Sequence, residues 1–422
     1  FNKGAMEGHG TYTSNIGSVY RGQFKKGKKH GEGEWTRTDG SSYVGAFKND
    51  LMHGKGIRKT SDGAIYDGDW KKGKRHGTGT YTSPTGDVYK GEWAHDCIQG
   101  YGSMHYHDGD IYEGEWCAFR RHGRGLLLDE ACGSVFEGEF LLGQQEGYGT
   151  FKSSVGLFYI GGWRKGLFEG YGIITYPSGA FYVGNFHNGL KDGNGLYRRL
   201  DKKECHGCWQ NGVLNGHFAI YNPDGSIRFE GEFNNGYREG FGRYNSPNGS
   251  FIEGTWLKDE ITRGIYTYTC GEIYTGEFEQ FRKHGHGLIV YTDGAIYEGA
   301  IRDNKRDGFG LMLEADGVTM YEGQWEDDRQ HGLGECAYNS GIVFKGTWDK
   351  NIRTGKGVMI FDDVSSYEGD YEHNRKSGWG IYRHVSGESY EGHYLNNRRH
   401  GFGVHYKADR SIFEGYFMYN HY

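Results

Sequence analysis

The segment Cys205-His206-Gly207-Cys208, with His217 nearby, is where the chain most resembles a metal-binding motif. A zinc site normally needs four convergent ligands, and a C-x-x-C pair is persuasive chiefly when a second such pair accompanies it. In a regular strand, residues 205 and 208 would also point to opposite faces. The sequence therefore favours a structural role for this segment, and we expect no metal ion and no cofactor.

Histidine also recurs at one position of a repeating motif, in His30, His53, His76, His122, His284, His331 and His400. Successive copies would lie roughly 10 Å apart if each repeat supplies two strands, which is too far for shared metal ligation or a proton relay. We expect each ring to bond the backbone beside the following glycine. The many G-x-G pairs lead into no helix and so cannot form a nucleotide-binding turn. With no nucleophile, base and orienting group placed together, the sequence predicts no enzymatic activity.

The strongest candidates for binding an anion are basic loops near the start of the chain: Lys25, Lys26, Lys28 and Lys29, then Lys71, Lys72, Lys74 and Arg75. Residues 1–93 hold 16 Lys/Arg against 10 Asp/Glu, whereas residues 270–395 hold 13 against 22. Each basic residue near an anionic membrane contributes about 1 kcal/mol. Contact with phospholipid, contact with an acidic partner such as a tubulin tail, and simple solubilising charge remain open interpretations.

These residues belong to an array with a fixed period. Eighteen glycines that follow an aromatic residue or its substitute are separated by 23 residues in most cases, with three intervals of 24 and one of 22. They are Gly22, Gly45, Gly68, Gly91, Gly114, Gly138, Gly161, Gly184, Gly207, Gly231, Gly254, Gly276, Gly299, Gly323, Gly346, Gly369, Gly392 and Gly415. A constant period of this size marks a repeat architecture, so residues 1–422 are interpreted as one continuous array.

Composition agrees with a repeat whose core is built from aromatic rings. The chain has 76 Gly and 4 Pro, only 35% hydrophobic residues, but 34 Tyr, 24 Phe and 10 Trp. Each ring can remove roughly 150 to 250 Å² from water, so rings must carry most of the burial. No run of 18 apolar residues occurs, and the seven scattered cysteines suit a reducing compartment.

Within one unit, Tyr20, Gly22 and Phe24 alternate with polar residues, and so do Gly31, Gly33 and Trp35, which is a strand pattern. A Gly- and Lys-rich loop joins the two strands, and Asp39-Gly40 is expected to supply positive φ angles for a second tight turn. The fold predicted is all-β: an elongated, single-layer, twisted antiparallel sheet of about 18 tandem β-hairpins, advancing roughly 10 Å per repeat.

Two substitutions interrupt the regular glycine pattern. In the unit above, Gly22, Gly31 and Gly33 are the first, second and third glycines. The sequence is interpreted as having the second glycine in every copy. Phe218 and Tyr266 are interpreted as replacing the third, on either side of the 22-residue interval. We expect a bend or local repacking between about 205 and 270.

The face opposite the rings is a second candidate interface. The residue after the third glycine points away from the rings, yet it is apolar in several repeats, most consistently at Leu288, Leu311, Val358, Ile381 and Val404. A one-layer sheet with two apolar faces needs a cover. We expect a partner protein or a second copy of the chain there, with folded-over loops of the same chain as the alternative.

The repeat resembles the MORN family (membrane occupation and recognition nexus), whose consensus is close to Y-x-G-x-W/F-x-x-G-x-x-H-G-x-G. The segment Tyr66-Asp-Gly68-Asp-Trp70-Lys-Lys-Gly73-Lys-Arg-His76-Gly77-Thr-Gly79 matches throughout. Single repeats depart from it at Cys205, Ile252 and Ile301. MORN repeats occur attached to lipid kinases, a lysine methyltransferase and junctional-membrane proteins, and they also build MORN-only proteins of protist cytoskeletons and ciliary radial spoke heads.

The resemblance implies a non-enzymatic scaffold for protein–protein interaction, cytoplasmic and cytoskeletal, favoured as a component of a ciliary or flagellar axoneme such as a radial spoke head. Its partners would be proteins of a large assembly, and neither nucleic acid nor a transmembrane segment is expected. The alternatives are a phospholipid-binding membrane-apposition or targeting module, and such a module attached to an enzyme outside this segment. Phe1 aligns with Phe24 and the array stops at Phe417 after a half-repeat, so both ends look truncated.

Overall fold

Alternating ring and glycine residues form strands along the whole of the part that this computed structural model describes, residues 4–421. Phe1, which the sequence aligns with Phe24, lies outside these residues. The described residues contain 36 strands and no helix, which confirms the predicted all-β, antiparallel class. By internal contacts the chain divides into two units between Val213 and Leu214, and the strand that begins at Val213 is counted with the second unit.

The first unit contains the strands β1 (Gly8–Thr13), β2 (Val19–Lys25), β3 (Lys28–Thr36), β4 (Ser42–Lys48), β5 (Leu51–Lys59), β6 (Ile65–Lys71), β7 (Lys74–Thr82), β8 (Val88–Ala94), β9 (Cys97–His105), β10 (Ile111–Cys117), β11 (Arg120–Asp129), β12 (Ser134–Leu141), β13 (Gln144–Lys152), β14 (Phe158–Arg164), β15 (Leu167–Thr175), β16 (Phe181–His187), β17 (Leu190–Arg198) and β18 (Glu204–Gln210).

The second unit contains β19 (Val213–Tyr221), β20 (Ile227–Asn234), β21 (Tyr237–Asn245), β22 (Phe251–Leu257), β23 (Glu260–Thr267), β24 (Ile273–Glu279), β25 (Arg282–Val290), β26 (Ile296–Arg302), β27 (Lys305–Leu313), β28 (Met320–Glu326), β29 (Arg329–Ala337), β30 (Val343–Asp349), β31 (Ile352–Ile360), β32 (Ser366–Glu372), β33 (Arg375–Arg383), β34 (Ser389–Leu395), β35 (Arg398–Tyr406) and β36 (Ile412–Phe417).

Within each unit consecutive strands pair antiparallel, so each unit is an open meander. The register sets glycine opposite glycine at the centre of each hairpin, as in Gly22 with Gly33 and Gly299 with Gly310. An ideal Cβ placed on Gly33 would lie 2.5 to 2.7 Å from atoms of the Tyr20 ring. The paired glycines therefore form a flat floor on which the tyrosine lies, and no larger residue fits there.

The rings on this face, called the ring face below, are held by hydrogen bonds as well as by burial. Twelve tyrosine hydroxyls each donate to the carbonyl oxygen three residues further along, at 2.6 to 3.1 Å. Seven tryptophan Nε1–H groups donate to a glycine carbonyl of the preceding hairpin, at 2.9 to 3.3 Å. Tyr43 also packs edge-to-face on Phe47 of its own repeat and on Trp70 of the next. The rings thus join consecutive repeats.

The loop inside each hairpin is a two-residue turn, as the sequence predicts. Lys26 and Gly27 have φ of 54° and 76°, and Asn49 and Asp50 have 53° and 70°, the pattern of a type I′ turn. The second turn residue then pairs with the preceding hairpin: Lys29 N–H donates to Asp50 Oδ1, and Asp50 N–H donates to the Lys29 carbonyl. These reciprocal bonds, about 21 residues apart, are a second link between repeats.

The turn between hairpins differs from the expectation. Only Gly40 has a positive φ, 82°, whereas Asp39 does not. The Asp39 carboxylate accepts hydrogen bonds from the backbone N–H and the hydroxyl of Ser41, which holds Asp39 in the ordinary right-handed region. The turn is therefore a type I turn closed by a left-handed glycine, and Asp62, Asp108, Asp224, Asp293 and Asp316 behave in the same way.

The assignment of glycines near the 22-residue interval was also wrong. Gly264 pairs with Gly254 and has no positive φ, so it is the third glycine of its repeat. In a regular hairpin the second strand bulges opposite a single residue of the first strand. In β23 the bulge opposite Thr255 is one residue shorter, and the residue missing from it is the left-handed second glycine. Tyr266 pairs with Ile252 and Tyr274 instead, while Phe218 does occupy a glycine position, opposite Gly231, and is fully buried.

A substitution at the centre of a hairpin tests this packing. Gly310→Ala places a Cβ 2.6 Å from two atoms of the Tyr297 ring, and we expect it to destabilise the protein by about 1 to 3 kcal/mol. Its neighbour Phe309 lies on the other face with 61% of its surface exposed, so Phe309→Ala should change stability by no more than about 0.5 kcal/mol. Thermal unfolding followed by circular dichroism measures both, and equal losses would contradict the packing described.

Candidate functional site

The ring face is covered by a row of basic side chains. Each stands at the second residue of the strand that follows a type I′ turn, with its charged group 4.1 to 5.7 Å from the nearest ring centroid. This row, called the cation row, comprises Lys29, Arg75, Arg121, Lys191, Arg238, Lys283, Arg306, Arg353, Lys376 and Arg399. Cations over aromatic faces are stabilising, so these residues complete the core of a one-layer sheet.

Arg75 shows how a member of the cation row is held. Its guanidinium carbon lies 4.1 Å from the Trp93 ring centroid, Nε is 3.3 Å from Asp96 Oδ1, and Nη2 donates to the Asp96 carbonyl at 3.0 Å. Only 22% of its side chain is exposed. Arg238 with Asp259 and Arg306 with Asp328 repeat the arrangement.

Two of the eight basic loop residues therefore lie elsewhere than expected. Lys29 and Arg75 belong to the cation row, and burial lowers the pKa of Lys29. The other six are exposed at the hairpin turns: Lys25, Lys26, Lys28, Lys71, Lys72 and Lys74. The sequence does not separate the two groups, because members of both stand side by side in the same short run of basic residues.

The recurring histidines were expected to bond the backbone, but at Nδ1 they make no such bond. This atom is buried and without a hydrogen-bond partner in His30, His76, His122, His284 and His400, and in His331 it lies 3.4 Å from Asp349 Oδ1. Cys205 and Cys208 lie on β18, paired opposite Tyr197 and Asn194, and burial raises the pKa of the Cys205 thiol. A raised thiol pKa disfavours the thiolate that zinc binding requires. Among residues 4–421 no group of three or more metal-ligating side chains converges.

The opposite face, called the back face, exposes a second set of large apolar side chains. Most stand at the middle of the G-x-G motif, where strand alternation turns them away from the rings. Among these Tyr171 is 64% exposed, Phe309 61% and Leu333 67%. The full set is Tyr101, Tyr148, Tyr171, Phe241, Phe309, Leu333, Trp379 and Phe402. Sequence reasoning missed this set, although the alternation that places glycine inward is the signal that could have found it.

The predicted back-face residues lie two positions further along the same strands. Leu288, Leu311, Val358, Ile381 and Val404 are all half-buried. In the first unit, the equivalent Ile57, Leu126 and Ile173 are exposed. The two sets share the back face and border one another.

Across the second unit the register alternates these apolar residues with glutamates. Leu311 lies between Glu298 and Glu322, since it pairs with the first on β26 and the second on β28. Ile381 lies between Glu368 and Glu391 on β32 and β34. Val404 lies between Glu391 and Glu414, and Val358 between Lys345 and Glu368. Paired strands are about 4.8 Å apart, so apolar side chains recur about every 10 Å from Leu288 to Leu311 and again from Val358 to Val404. Between these two stretches the row is charged, because Glu335 pairs with Glu322 and Lys345.

The line of apolar residues Leu288, Leu311, Val358, Ile381 and Val404, with the charged residues between them, is called the back-face row. Shallow grooves follow this row. One of about 450 Å³ is lined by Val358, Trp379 and Ile381 together with Lys345, Lys356 and Glu368. Another, of about 330 Å³, has Phe309 and Leu333 beside Glu322 and Glu335. Apolar surface bordered by charge is characteristic of an interaction site.

This architecture is that of a repeat protein made of tandem β-hairpins. Fifteen segments match the family model described as the MORN repeat: residues 1–19, 20–42, 43–65, 66–88, 89–111, 136–157, 159–181, 182–200, 229–251, 274–296, 297–319, 321–343, 344–363, 367–389 and 390–412. These segments make up well over half of the sequence, and the chain belongs to the MORN-repeat family. MORN repeats are protein-interaction or membrane-binding modules, and no helix able to cross a membrane occurs among the described residues.

Comparison with curated proteins and solved structures gives weaker likenesses. Over 96 residues the chain is 30% identical to Alsin of Rattus norvegicus, a stretch covering 21% of this chain and 6% of Alsin. The SAS-4 (dCPAP) TCP domain of Drosophila melanogaster, solved with a proline-rich motif of Ana2, is 17% identical, covers 36% of this chain and 86% of its own, and has a TM-score of 0.25. The TCP10 domain of Danio rerio CPAP is 13% identical over 53% of this chain and 98% of its own, with a TM-score of 0.20. Neither structure contributes to the function proposed below.

The two kinds of basic residue should differ in their effect on stability. Arg75→Ala removes a stacked guanidinium and its bonds to Asp96, and we expect a loss of about 1 to 3 kcal/mol. Lys74→Ala, one residue away and exposed, should stay within about 0.5 kcal/mol of the wild type. Chemical denaturation measures both variants, and an Arg75→Ala protein as stable as Lys74→Ala would show that the cation row is not part of the core.

Proposed function

We propose that this chain is a non-enzymatic scaffold that binds other proteins along the back-face row. The observation that carries the proposal is the pattern of apolar and charged side chains along that row, with Phe309, Leu333, Trp379 and Phe402 exposed beside it. Soluble proteins rarely leave contiguous large apolar groups uncovered unless something binds them.

The chemistry of the row defines the partner. Its apolar side chains recur about every 10 Å from Val358 to Val404, and the residues between them are glutamates. A fitting partner is a protein segment with apolar side chains at a similar spacing and Lys or Arg between them. Burial of the apolar groups supplies affinity, while the opposite charges steer association and fix the register of the partner.

We place this scaffold in a large cytoskeletal assembly of the cytoplasm, and in particular in the axoneme of a cilium or flagellum, as in a radial spoke head. The support is the extent of the array, since fifteen MORN segments recur between residues 1 and 412 and long MORN arrays build cytoskeletal proteins of this family. A second copy of the chain is a further candidate for the back-face row.

The rival function is docking to anionic phospholipid through the six exposed lysines of the first hairpins. Point charges at exposed turns can gather anionic headgroups without a shaped pocket. These lysines lie in the first unit and the back-face row lies in the second, so the two functions can be tested separately.

The experiment compares wild type with two variants in ciliated cells from which membranes are extracted with detergent. Val358→Asp/Ile381→Asp replaces two apolar residues of the row, and Lys71→Glu/Lys72→Glu/Lys74→Glu is the matched control on the loops. We expect the wild type and the loop variant to stay with the axoneme. Retention of the back-face variant should fall by more than about tenfold, because burying two unpaired carboxylates in the interface costs well over the roughly 1.4 kcal/mol that corresponds to that factor.

Circular dichroism must show that all three proteins are folded, and vesicles of phosphatidylcholine with phosphatidylserine provide the second arm. Two results together would overturn the scaffold proposal in favour of lipid docking. Detergent would release the wild type, and the wild type would bind vesicles in a salt-sensitive way that the loop variant loses. Equal axonemal retention of both variants would also contradict the assigned surface.

A further inference from the structure

Members of the cation row differ in how their charge is neutralised. At Arg75, Arg238 and Arg306 the turn residue that faces the cation is an aspartate, Asp96, Asp259 and Asp328 respectively. Lys283 instead has Glu272 at 3.1 Å. These cations therefore have a carboxylate partner within the fold.

From residue 351 onward the same turn position is asparagine. Asn374, Asn397 and Asn420 bond the backbone N–H of Arg353, Lys376 and Arg399, as the aspartates do elsewhere. An amide keeps this hydrogen bond but carries no charge. Within residues 4–421, no carboxylate oxygen lies within 4 Å of the charged nitrogens of these three residues.

Lys376 is the most enclosed of the three. Its Nζ lies 4.7 Å from the Tyr367 ring centroid, 4.8 Å from Phe361 and 4.9 Å from Tyr382. Burial lowers its pKa to about 8, because removal from water penalises the charged ammonium. A nearby anion would offset that penalty.

Lys376 and Arg399 line one cavity of about 310 Å³ on the ring face. Its apolar walls include Phe361, Tyr382 and Tyr394. The Arg399 guanidinium lies 5.4 Å from the Tyr390 centroid and makes no hydrogen bond or ion pair with any residue of the described part of the chain. Glu388, the carboxylate in the wall, is hydrogen-bonded to His405. The cavity thus combines two cations that lack counter-charges with flat apolar surfaces.

We propose that this cavity, the Lys376 pocket, binds a small organic oxyanion, a phosphate or carboxylate group attached to an aromatic or apolar moiety. Lys376 and Arg399 hold the oxyanion, and the rings of Phe361, Tyr382 and Tyr394 contact the moiety. Arginine and lysine are the usual protein partners of phosphate and carboxylate oxygens, and a protein cavity strengthens such bonds by excluding water. The site lies on the ring face and does not depend on the back-face row.

The test titrates the full chain with phenyl phosphate, benzoate and inorganic phosphate by isothermal titration calorimetry at low salt. We expect saturable binding of the two aromatic anions with a Kd below about 1 mM, and weaker binding of inorganic phosphate, which cannot contact the rings. Lys376→Met and Arg399→Met should each weaken binding at least about tenfold. Lys191→Met, at the same position of the cation row in the first unit, is the matched control and should bind as wild type does.

Amine labelling with acetic anhydride detects binding without measuring the heat of binding. Peptide mapping should show Lys376 protected by phenyl phosphate and Lys191 unaffected. Arg399→Lys keeps the charge and should retain binding. It replaces Arg399→Met in the comparison if that variant folds poorly. Absence of saturable binding up to about 10 mM, or equal binding by wild type and a folded Lys376→Met protein, would overturn the proposal.

Discussion

The packing of a tyrosine ring on a pair of facing glycines is the interaction on which the rest of this structure depends. The register brings the two glycines together, as in Gly22 with Gly33, and a Cβ on either one would collide with the ring or the facing backbone. The ring then bonds a carbonyl of its own strand and packs on a ring of the next repeat. A sheet one layer thick can therefore bury rings without a second sheet or a helix. Since each tyrosine contacts its neighbours, stability passes from repeat to repeat.

This packing also determines what each face can do. The ring face is completed by the cation row and by reciprocal bonds between successive turns, so its charges are largely structural. The back face has no comparable cover among the described residues, and its large apolar side chains stay exposed at the middle of the G-x-G motif. Function is therefore proposed for the surfaces that the ring packing leaves free: the back-face row, and the Lys376 pocket, where two members of the cation row lack counter-charges.

Much of the fold followed from local rules of the sequence. The 23-residue period, the alternation around Tyr20 and Gly22, and the two-residue turns together predict tandem antiparallel hairpins, as the structure has them. Features that depend on neighbouring repeats were not accessible in this way. The Asp39 carboxylate bonds the backbone and avoids a positive φ, and Gly264 is identified only by its pairing with Gly254. Lys29 resembles its exposed neighbours in sequence, and only the positions of three rings show that it belongs to the core. The expected bend between 205 and 270 stays a prediction.

The candidate sites were predictable to a smaller extent. The position of Leu288 and Val358 on the back face follows from strand parity, whereas the glutamates on either side of Ile381 depend on which residues face each other across strands. The counter-charges missing at Lys376 and Arg399 become evident only when each cation is compared with the turn residue 21 positions later.

Hydroxyl-radical footprinting measures most directly whether the sheet has one dry ring face and one exposed back face. If it does, Tyr171, Phe309 and Trp379 are oxidised rapidly in the native protein, while Tyr182, Tyr297 and Trp325 react only after unfolding, because the first three are exposed and the last three are buried. Similar oxidation rates for the two groups in the native protein would contradict the ring-on-glycine packing and the free back face together.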